Sequence, residues 1–174
     1  LPDPFGERVE RLRLDRTTPA FAEALRERTF DAVVDFAAFT GSDAREAVSV
    51  LRRCGHYVFI STGQVYLVRQ DVVLPAREED YEGPVRPRPA DPDEVPGWEY
   101  GIGKRDAEDI LWAARRESGF PVTVLRLPIV NGERDYLRRI EGYLWRILDG
   151  GLVVLPDGGQ VQCRHVYGAD AAHA

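Results

Sequence analysis

The sequence predicts an α/β fold, a doubly wound parallel sheet covered by helices on both faces. Three short apolar runs, at 30–38, 56–60 and 121–127, have the length and composition of strands buried on both sides. Stretches with helical spacing of apolar residues lie between them, so strand and helix alternate. This alternation is typical of parallel sheets, because each strand needs a crossover to return to the same edge. The 174 residues, 44% of them hydrophobic, are enough for one domain with a sizeable core.

Turn and cap residues define the elements in the first half of the chain. Alternating apolar and charged residues precede Asp15, which indicates a strand that Asp15 closes. Thr18 is followed by Pro19, the usual pairing of a helix cap with a first helical residue. The residues from Gly41 to Asp43 are expected to form a turn, and Gly55 to end the helix that follows. We therefore predict strands at 9–14, 30–38 and 56–60, and helices from Pro19 and over 44–53.

A long proline-rich segment interrupts the pattern. Five prolines fall between Pro84 and Pro96, so 70–99 is predicted to be a long loop. Loops of this length inside domains are usually functional lids or disordered segments. Regular structure returns with a helix that begins at Tyr100 and carries Ile110, Leu111 and Trp112 toward the core. We predict that helix to end near Ser118-Gly119, followed by a strand at 121–127, a helix at 136–148 and extended pieces at 152–155 and 160–166.

Composition and charge exclude several classes of protein. The net charge of -6 and the pI near 5.2 argue against a nucleic-acid surface. No apolar run approaches the length of a membrane span and the first residues lack a signal core, so we expect a cytoplasmic protein without a membrane anchor. Cys54 and Cys163 are too few for a disulfide framework and are expected to be reduced and buried. The three histidines share no ligand spacing, so no metal site is predicted.

The clearest chemical motif is Tyr100, which stands four residues before Lys104, the only lysine in the sequence. On a helix these positions lie on one face, so the ammonium can sit beside the phenol and favour its ionised form. A tyrosine made acidic in this way can exchange a proton with a substrate alcohol or carbonyl near neutral pH. The alternative is a surface pair without chemistry. The placement of the sole lysine at this spacing favours catalysis.

Several predicted strands end in polar or small residues. These are Asp15, Ala37-Ala38, Ser61-Thr62 and Pro128. Open parallel sheets bind their ligands at the carboxyl ends of the strands, so these residues are expected to share one edge with the motif at Tyr100. Arg134, Arg138 and Arg139 could bind an anionic group, but they fit better as the solvated face of a helix whose apolar side is Leu137, Ile140, Leu144 and Ile147.

Taken in order, the motifs resemble those of a known enzyme superfamily. They are Leu14-Asp15-Arg16, Phe36-Ala37-Ala38, Ser61 to Tyr66, Tyr100 to Lys104, Leu125 to Pro128, and His165 to Ala172. With this set the chain resembles the short-chain dehydrogenase/reductase superfamily, in its extended or atypical branch of NAD-dependent epimerases and dehydratases. The likeness covers nearly the whole chain.

The resemblance implies a Rossmann-like fold, NAD or NADP as the cofactor, and site residues at the matching positions. Tyr100 would be the acid/base, Lys104 would lower the pKa of the Tyr100 phenol and bind the nicotinamide ribose, and Thr62 would hold the substrate oxygen. The other positions that the resemblance assigns to the cofactor are Asp15, Arg16, Phe36, Ala37, Ala38, Ser61 and Pro128. Those that it assigns to the substrate are Gln64, Tyr66 and Asn131.

The chain also departs from the family pattern. The glycine-rich segment that seats the cofactor diphosphate has no counterpart and the sequence has no methionine, so we expect it to begin mid-protein, without the first strand, helix and second strand of the fold. The choice between NAD and NADP is made in that segment and stays open. Residues 1–127 would form a partial NAD(P)-binding domain, and 128–174 the start of a substrate-binding portion.

Two further departures concern the substrate. Gly63-Gln64 stands where sugar-nucleotide dehydratases carry Asp-Glu, which argues against dehydration. Ile129 stands where sugar-nucleotide epimerases carry an asparagine that binds the diphosphate, although Asn131 is close by. The first hypothesis is therefore an oxidoreductase or epimerase acting on a secondary alcohol, ketone or sugar-like small molecule. A homodimer is compatible with this hypothesis. The alternative is a non-catalytic NAD(P)-binding regulatory or RNA-associated protein of the same fold.

Overall fold

A computed structural model, which describes residues 6–133, 135–160 and 162–174, shows a three-stranded and a two-stranded parallel sheet with helices between the strands. The α/β class and the parallel sheet predicted from the sequence are confirmed. The strands are β1 (Val33–Asp35), β2 (Tyr57–Thr62), β3 (Val122–Leu127), β4 (Ile129–Asn131) and β5 (His165–Tyr167). The helices are α1 (Pro19–Leu25), α2 (Gly41–Val50), α3 (Gln64–Leu67), α4 (Val95–Ser118), α5 (Arg139–Leu148) and α6 (Gly168–His173).

The larger sheet has the order β1-β2-β3, with β2 in the middle. Side chains alternate along β2, so that Tyr57, Phe59 and Ser61 are buried on one face. Tyr57 and Phe59 share a buried cluster with residues of α2 and α4. Leu111 of α4 and Val122 of β3 complete the centre of this core, and both are almost fully buried. The core therefore lies between one face of the sheet and the two longest helices that connect its strands.

Local sequence explains where the main helices begin and end. Thr18 is the N-cap of α1 and Pro19 its first residue, as predicted. Thr40 caps α2 through a reciprocal pair of hydrogen bonds with Asp43. The long helix α4 ends at Gly119, whose φ of 71° is accessible to glycine at little cost. The predicted end of this helix is confirmed, although it begins five residues before Tyr100, at Val95.

The strand predicted at 9–14 is wrong. The structure places no strand or helix in this segment, and Val9, Leu12 and Leu14 are each about 40% exposed. A strand is stable only when a neighbour satisfies its backbone groups, and none of the described residues forms a ladder with this segment. Alternation of apolar and charged residues was therefore not sufficient evidence for a strand.

Two turn predictions around α2 are also wrong. Residues 41–43 form the first turn of the helix, because Thr40 rather than a later residue is its cap. The helix stops at Val50, five residues before Gly55. Gly55 has a different role: a Cβ at this position would lie 2.6 Å from the carbonyl oxygen of Asp31, so glycine permits close approach of two backbones.

The proline-rich segment is shorter and more ordered than predicted. A 3-10 helix spans Glu78–Tyr81, and Tyr81 is buried against α4. The segment ends at Val95, where α4 begins with Pro96 in its first turn. Backbone hydrogen bonds from Gln70 to Pro84 and from Arg86 to Val68 draw its two arms together. The loop is thus held in place by its own backbone and by one buried aromatic side chain.

The last part of the chain contains the small parallel pair β4-β5, flanked by α6, and the exposed helix α5. The sequence did not predict β4 or α6, and the extended piece at 152–155 is not a strand in the structure. The piece at 160–166 overlaps β5 only at its end, and Val161 lies outside the described residues. Cys54 is buried as expected, whereas Cys163 is exposed. No described helix is long and apolar enough to cross a membrane.

Candidate active site

One stripe of α4 carries the functional side chains of the predicted motif. Tyr100, Lys104 and Glu108 are spaced four residues apart and share a face of the helix. Two glycines on this helix let it approach its neighbours: a Cβ at Gly101 would lie 2.5 Å from Cγ1 of Val68, and one at Gly103 would lie 2.5 Å from the Phe39 carbonyl oxygen. The glycines of the motif therefore serve packing rather than chemistry.

The ammonium of Lys104 is buried at the carboxyl ends of two strands. Its Nζ donates to the carbonyl oxygens of Ala38 at 2.7 Å and Ile60 at 2.8 Å. It also lies 4.8 Å from the ring centre of Phe39 and 4.6 Å from that of Phe59, within cation–π range. Burial lowers the pKa of Lys104 to about 8, against the raising effect of nearby carboxylates.

The two residues predicted to act through a hydroxyl group, Thr62 and Tyr100, are half-buried and exposed, respectively. Tyr100 is 40% exposed, and its ring centre lies 6.0 Å from Nζ of Lys104. The hydroxyl of Thr62, at the end of β2, accepts a hydrogen bond from the backbone N–H of Gln64 at 3.2 Å. A hydroxyl that accepts in this way keeps its own proton to donate to a ligand. Thr62 therefore has a hydroxyl that can donate to a ligand, and the acid/base role of Tyr100 stays a prediction.

Asp35 organises the end of β1. Its Oδ1 accepts from the backbone N–H groups of Ala37 and Ala38 at 2.8 and 2.9 Å, and its Oδ2 accepts from the Tyr57 hydroxyl at 2.6 Å. Both carboxylate oxygens also pair with the guanidinium of Arg16 at 3.0 Å. Burial alone would raise the pKa of Asp35, but the hydrogen bonds from Arg16 and Tyr57 outweigh burial and hold it below its usual value.

A second buried carboxylate joins α4 to the larger sheet. Glu108 is fully buried and accepts from the Ser61 hydroxyl at 2.5 Å. Arg126, the register partner of Ser61 on β3, donates to the same carboxylate through Nε and Nη2, the latter at 2.7 Å. Such a pair is costly to desolvate, so both oxygens need the partners that they have here. Ser61 therefore faces the core in this structure.

Arg126 also contacts the segment before α4. Its Nη1 donates to the Tyr66 hydroxyl at 2.8 Å, and its guanidinium lies 4.2 Å from the ring centre of Tyr81. The guanidinium of Arg105 also contacts the Tyr81 ring, at 3.9 Å from the ring centre. The Tyr81 hydroxyl donates to Asp109 at 2.9 Å. This cluster fixes the loop against α4 and holds the hydroxyl of Tyr66, on α3, beside Arg126 near the end of β3.

The predicted substrate residues are divided between two places. Gln64 donates from Nε2 to the Gly97 carbonyl at 3.2 Å, which joins α3 to the start of α4. Asn131 lies at the end of β4, where its Nδ2 is 2.6 Å from Nδ1 of His165. Its Oδ1 is buried and has no hydrogen-bond partner among the described residues. Asn131 also lines an open cleft of about 490 Å³ together with Gly132, Asp135, Tyr136, Tyr167 and Gly168.

Some of the predicted site residues lie together at one edge of the larger sheet, whereas others form hydrogen bonds or ion pairs with residues outside this group. Ala38, Lys104 and Tyr100 form one group at the ends of β1 and β2. Phe36, 69% exposed, and Ala37 follow β1 at the same edge, and Pro128 is exposed after β3. By contrast, Asp15 accepts from Thr17, and Arg16 is paired with Asp35 and Asp43.

Three side chains that form ion pairs close to Lys104 are not among the residues predicted for the site: Asp35, Glu108 and Arg126. Asp35 is a carboxylate inside an apolar run, which is itself a sign of a paired buried charge. Glu108 continues the four-residue spacing of Tyr100 and Lys104 by one more turn. Of the arginines once considered for anion binding, Arg139 pairs with Asp135 and Arg138 lies over Trp145. Arg134 lies outside the described residues.

The residues at this edge fit a nicotinamide cofactor in part. Lys104 uses two of its three N–H donors within the described residues, so one can reach a ribose hydroxyl. Phe36 and Ala37 offer an exposed apolar edge beside it. Arg16 pairs with Asp35 and Asp43, and its contact with the cofactor stays a prediction. No group of three or more histidine, cysteine or carboxylate side chains with metal-site geometry occurs in 6–133, 135–160 and 162–174.

A parallel α/β sheet with a tyrosine and a lysine one helical turn apart at its carboxyl edge defines the class of short-chain dehydrogenase/reductase folds. The sequence matches the family described as the NAD dependent epimerase/dehydratase family over residues 4–174. Because the match covers almost the whole chain, the protein belongs to this family. No curated protein sequence matches the chain closely enough to be counted as a relative.

Solved structures with a similar fold include sugar-nucleotide enzymes. The dTDP-glucose 4,6-dehydratase of Bacillus anthracis, in complex with NAD, is 20% identical with a TM-score of 0.62 over 88% of this chain and 49% of its own. RMD from Pseudomonas aeruginosa, with NADPH, is 20% identical with a TM-score of 0.63 over 99% of this chain and 62% of its own.

A third similar structure is the UDP-glucuronic acid 4-epimerase of Bacillus cereus, in complex with UDP-glucuronic acid and NAD. It is 17% identical, with a TM-score of 0.57 over 92% of this chain and 52% of its own. This chain therefore spans about half to three fifths of the length of these structures. At such identities the likeness concerns the fold.

Proposed function

We propose that the protein is an NAD(P)-dependent oxidoreductase or epimerase that acts on a secondary alcohol, a ketone or a sugar-like small molecule. The observation that carries the proposal is the position of Lys104. Its ammonium is buried at the ends of β1 and β2, one helical turn from the exposed phenol of Tyr100. A cation in this position stabilises an anion that forms beside it, such as the phenolate of Tyr100.

The chemistry assigned to the chain is the movement of one proton. A bound nicotinamide would supply the hydride acceptor or donor. As the phenolate, Tyr100 would take the proton of the substrate hydroxyl while the carbon is oxidised, and as the phenol it would return that proton during reduction. Thr62 would donate to the same substrate oxygen and orient it. The charge that develops on the phenol is stabilised by Lys104, which carries its proton below a pH of about 8.

The family neighbours support a sugar-like substrate, and the residues of this chain favour redox or epimerisation over dehydration. Two polar sites are available for sugar hydroxyl groups, the Tyr66 hydroxyl held by Arg126 and the cleft beside Asn131. Gln64, which stands where dehydratases carry a carboxylate, is tied to Gly97. A carboxylate would be needed there to remove a proton from carbon, whereas an amide cannot do so.

The test begins with calorimetric titration of the protein, as its gene encodes it, against NAD⁺, NADH, NADP⁺ and NADPH. We expect one pair to bind. In that protein, Tyr100→Phe should reduce turnover by at least about a hundredfold while cofactor affinity stays nearly the same, because only the acid/base group is lost. Tyr143→Phe, which changes an exposed tyrosine on α5, is the matched control and should leave turnover unchanged.

Two results would count against the proposal. Wild-type turnover in Tyr100→Phe would remove the acid/base assignment. If none of the four nucleotides bound, both the enzyme hypothesis and the alternative of an NAD(P)-binding regulatory protein would be wrong, and an RNA-associated protein of the same fold would remain.

A further inference from the structure

The carboxylate of Asp35, at the end of β1, is largely buried and has several hydrogen-bond partners in the part of the chain that the structure describes. It accepts five hydrogen bonds, two from the guanidinium of Arg16, one from the Tyr57 hydroxyl and two from the backbone of Ala37 and Ala38. The side chain of Asp35 is only 10% exposed. A buried carboxylate with this many partners is rigid, because each partner restricts its rotation.

The peptide units next to Ala38 connect Asp35 directly to Lys104. The N–H of Ala38 donates to Oδ1 of Asp35 at 2.9 Å, and the carbonyl of the same residue accepts from Nζ of Lys104 at 2.7 Å. Ala38 is fully buried, so water does not compete for either bond. The residue is therefore held from both sides, and a movement of the Asp35 carboxylate moves the acceptor of the Lys104 ammonium.

We propose that Asp35 is a positioning residue for Lys104, which it acts on through the backbone of Ala38. Arg16 belongs to the same hydrogen-bond network, because its guanidinium binds the carboxylate and links the turn before α1 to the end of β1. The relevance of this network to catalysis rests on the function proposed above. The placement of the ammonium rests only on the contacts of the chain itself.

Electrostatics adds a second link between the two groups. The charged and titratable groups that face Lys104 are Asp35 on β1, Asp43 on α2, Glu108 and Tyr100 on α4, and Arg16 before α1. Burial lowers the pKa of Lys104, Asp35 and Glu108 raise it, Arg16 lowers it, and Asp43 raises it. Removal of the charge on Asp35 should therefore lower the pKa of Lys104 further, since less negative charge then favours the ammonium.

The pKa of Lys104 can be measured without a substrate. Lys104 is the only lysine of the sequence, so lysine labelled with ¹³C at Cε gives one NMR signal, whose shift follows the ionisation of the amine. We expect the wild-type signal to titrate with a midpoint near 8. In Asp35→Asn the midpoint should fall by at least about half a pH unit.

The direction of the change separates positioning from loss of structure. If Asp35→Asn merely unfolded the protein, the lysine would return toward its usual pKa of 10.5 and the midpoint would rise. Asp43→Asn is the matched control, because Asp43 also pairs with Arg16 but contacts the backbone of Phe39 and Thr40 rather than Ala38. It should lower the midpoint less than Asp35→Asn. An equal or larger decrease in Asp43→Asn, or an unchanged midpoint in Asp35→Asn, overturns the proposal.

Arg16→Gln keeps the test decisive if Asp35→Asn does not fold. This substitution removes a positive charge and leaves Asp35 with its backbone and Tyr57 donors, so the midpoint of Lys104 should rise in a protein that is still folded by circular dichroism. An unchanged midpoint in folded Arg16→Gln would contradict the link. The two proposals fail on different measurements. Wild-type turnover in Tyr100→Phe would contradict the proposed function, whereas an unchanged midpoint of Lys104 in folded Arg16→Gln would contradict the positioning role of Asp35.

Discussion

At the scale of single residues, burial of the Lys104 ammonium lowers the stability of the fold. An ammonium in this position loses its hydration and regains two carbonyl acceptors and two aromatic faces. The lowering of its pKa to about 8 is the measure of that cost, because a shift of one unit corresponds to about 1.4 kcal/mol. Active sites often hold a buried charged group with a shifted pKa, at a cost in the stability of the fold.

This cost predicts an unusual dependence of stability on pH. The folded pKa of Lys104 lies below the unfolded value of 10.5, so between these values the unfolded chain binds a proton that the folded chain does not. The free energy of unfolding should therefore rise with pH in this window, by about 2 kcal/mol between about pH 7 and about pH 9.5. Urea unfolding of the wild type at both pH values measures this change.

Lys104→Met is the reference for that measurement, since it keeps the length of the side chain and removes the titrating group. Residues far from Lys104 that titrate in the same range contribute equally to both proteins, so the difference between them is assigned to Lys104 and the groups that face it. A difference that stays constant from pH 7 to pH 9.5 would mean that the ammonium is not destabilised in the fold.

The residue scale also shows what the sequence could predict of the site. Tyr100 and Lys104 could be found because both lie on one helix, where spacing in sequence fixes spacing in space. Arg16 was predicted to contact the cofactor, and in the structure its guanidinium pairs with Asp35, which lies on β1, 19 positions further along the chain. Spacing within one element carries no information about such a contact, since it depends on how two elements pack.

At the scale of elements, a glycine determines how closely α4 approaches the neighbouring loop. Gly103 faces the loop between β1 and α2, and a Cβ there would lie 2.5 Å from the Phe39 carbonyl oxygen. The close approach brings Lys104 to the carbonyl of Ala38, one residue before Phe39. Glycine in a helix interior costs about 1 kcal/mol relative to alanine, so the approach is maintained against helix propensity.

Gly103→Ala should therefore destabilise the protein by about 1–3 kcal/mol, because either the backbone at Phe39 or the helix must move. Gly142→Ala on α5 is the matched control: a Cβ there meets nothing within 4 Å, so the gain in helix propensity should stabilise the protein by about 0.5–1 kcal/mol. Chemical denaturation of the two variants gives both values. A stabilising Gly103→Ala would contradict the close approach of the helix to the loop.

Prediction of the elements succeeded where local pattern was sufficient. The helices α1 and α4 were located by a proline at one end or a glycine at the other. The strand expected at 9–14 failed because pairing between strands is not encoded locally. The pair β4-β5 was missed for the same reason: each strand has three residues and is stabilised by a partner 36 residues away.

At the scale of the whole molecule, the core and the C-terminal part differ in how much apolar surface they bury. The buried cluster extends from Ala22 to Val122, so it lies entirely within the predicted cofactor-binding portion, 1–127. By contrast, Tyr136, Leu148, Leu152 and Val154 are each more than three quarters exposed. Burial of apolar surface is the main source of stability, so the first portion should account for most of it.

A chain ended after Leu127 should therefore unfold in urea with a midpoint close to that of the whole chain, since it keeps the buried cluster and all three strands of the larger sheet. It should also bind less of a hydrophobic dye, because the exposed apolar residues of the last segment are gone. A chain ended after Phe120 is the control: without β3 it loses Val122 from the core and Arg126 from the carboxylate of Glu108, and should show no cooperative transition. A large fall of the midpoint in the longer variant would mean that 128–174 belongs to the same folding unit, and the boundary at Leu127 would be wrong.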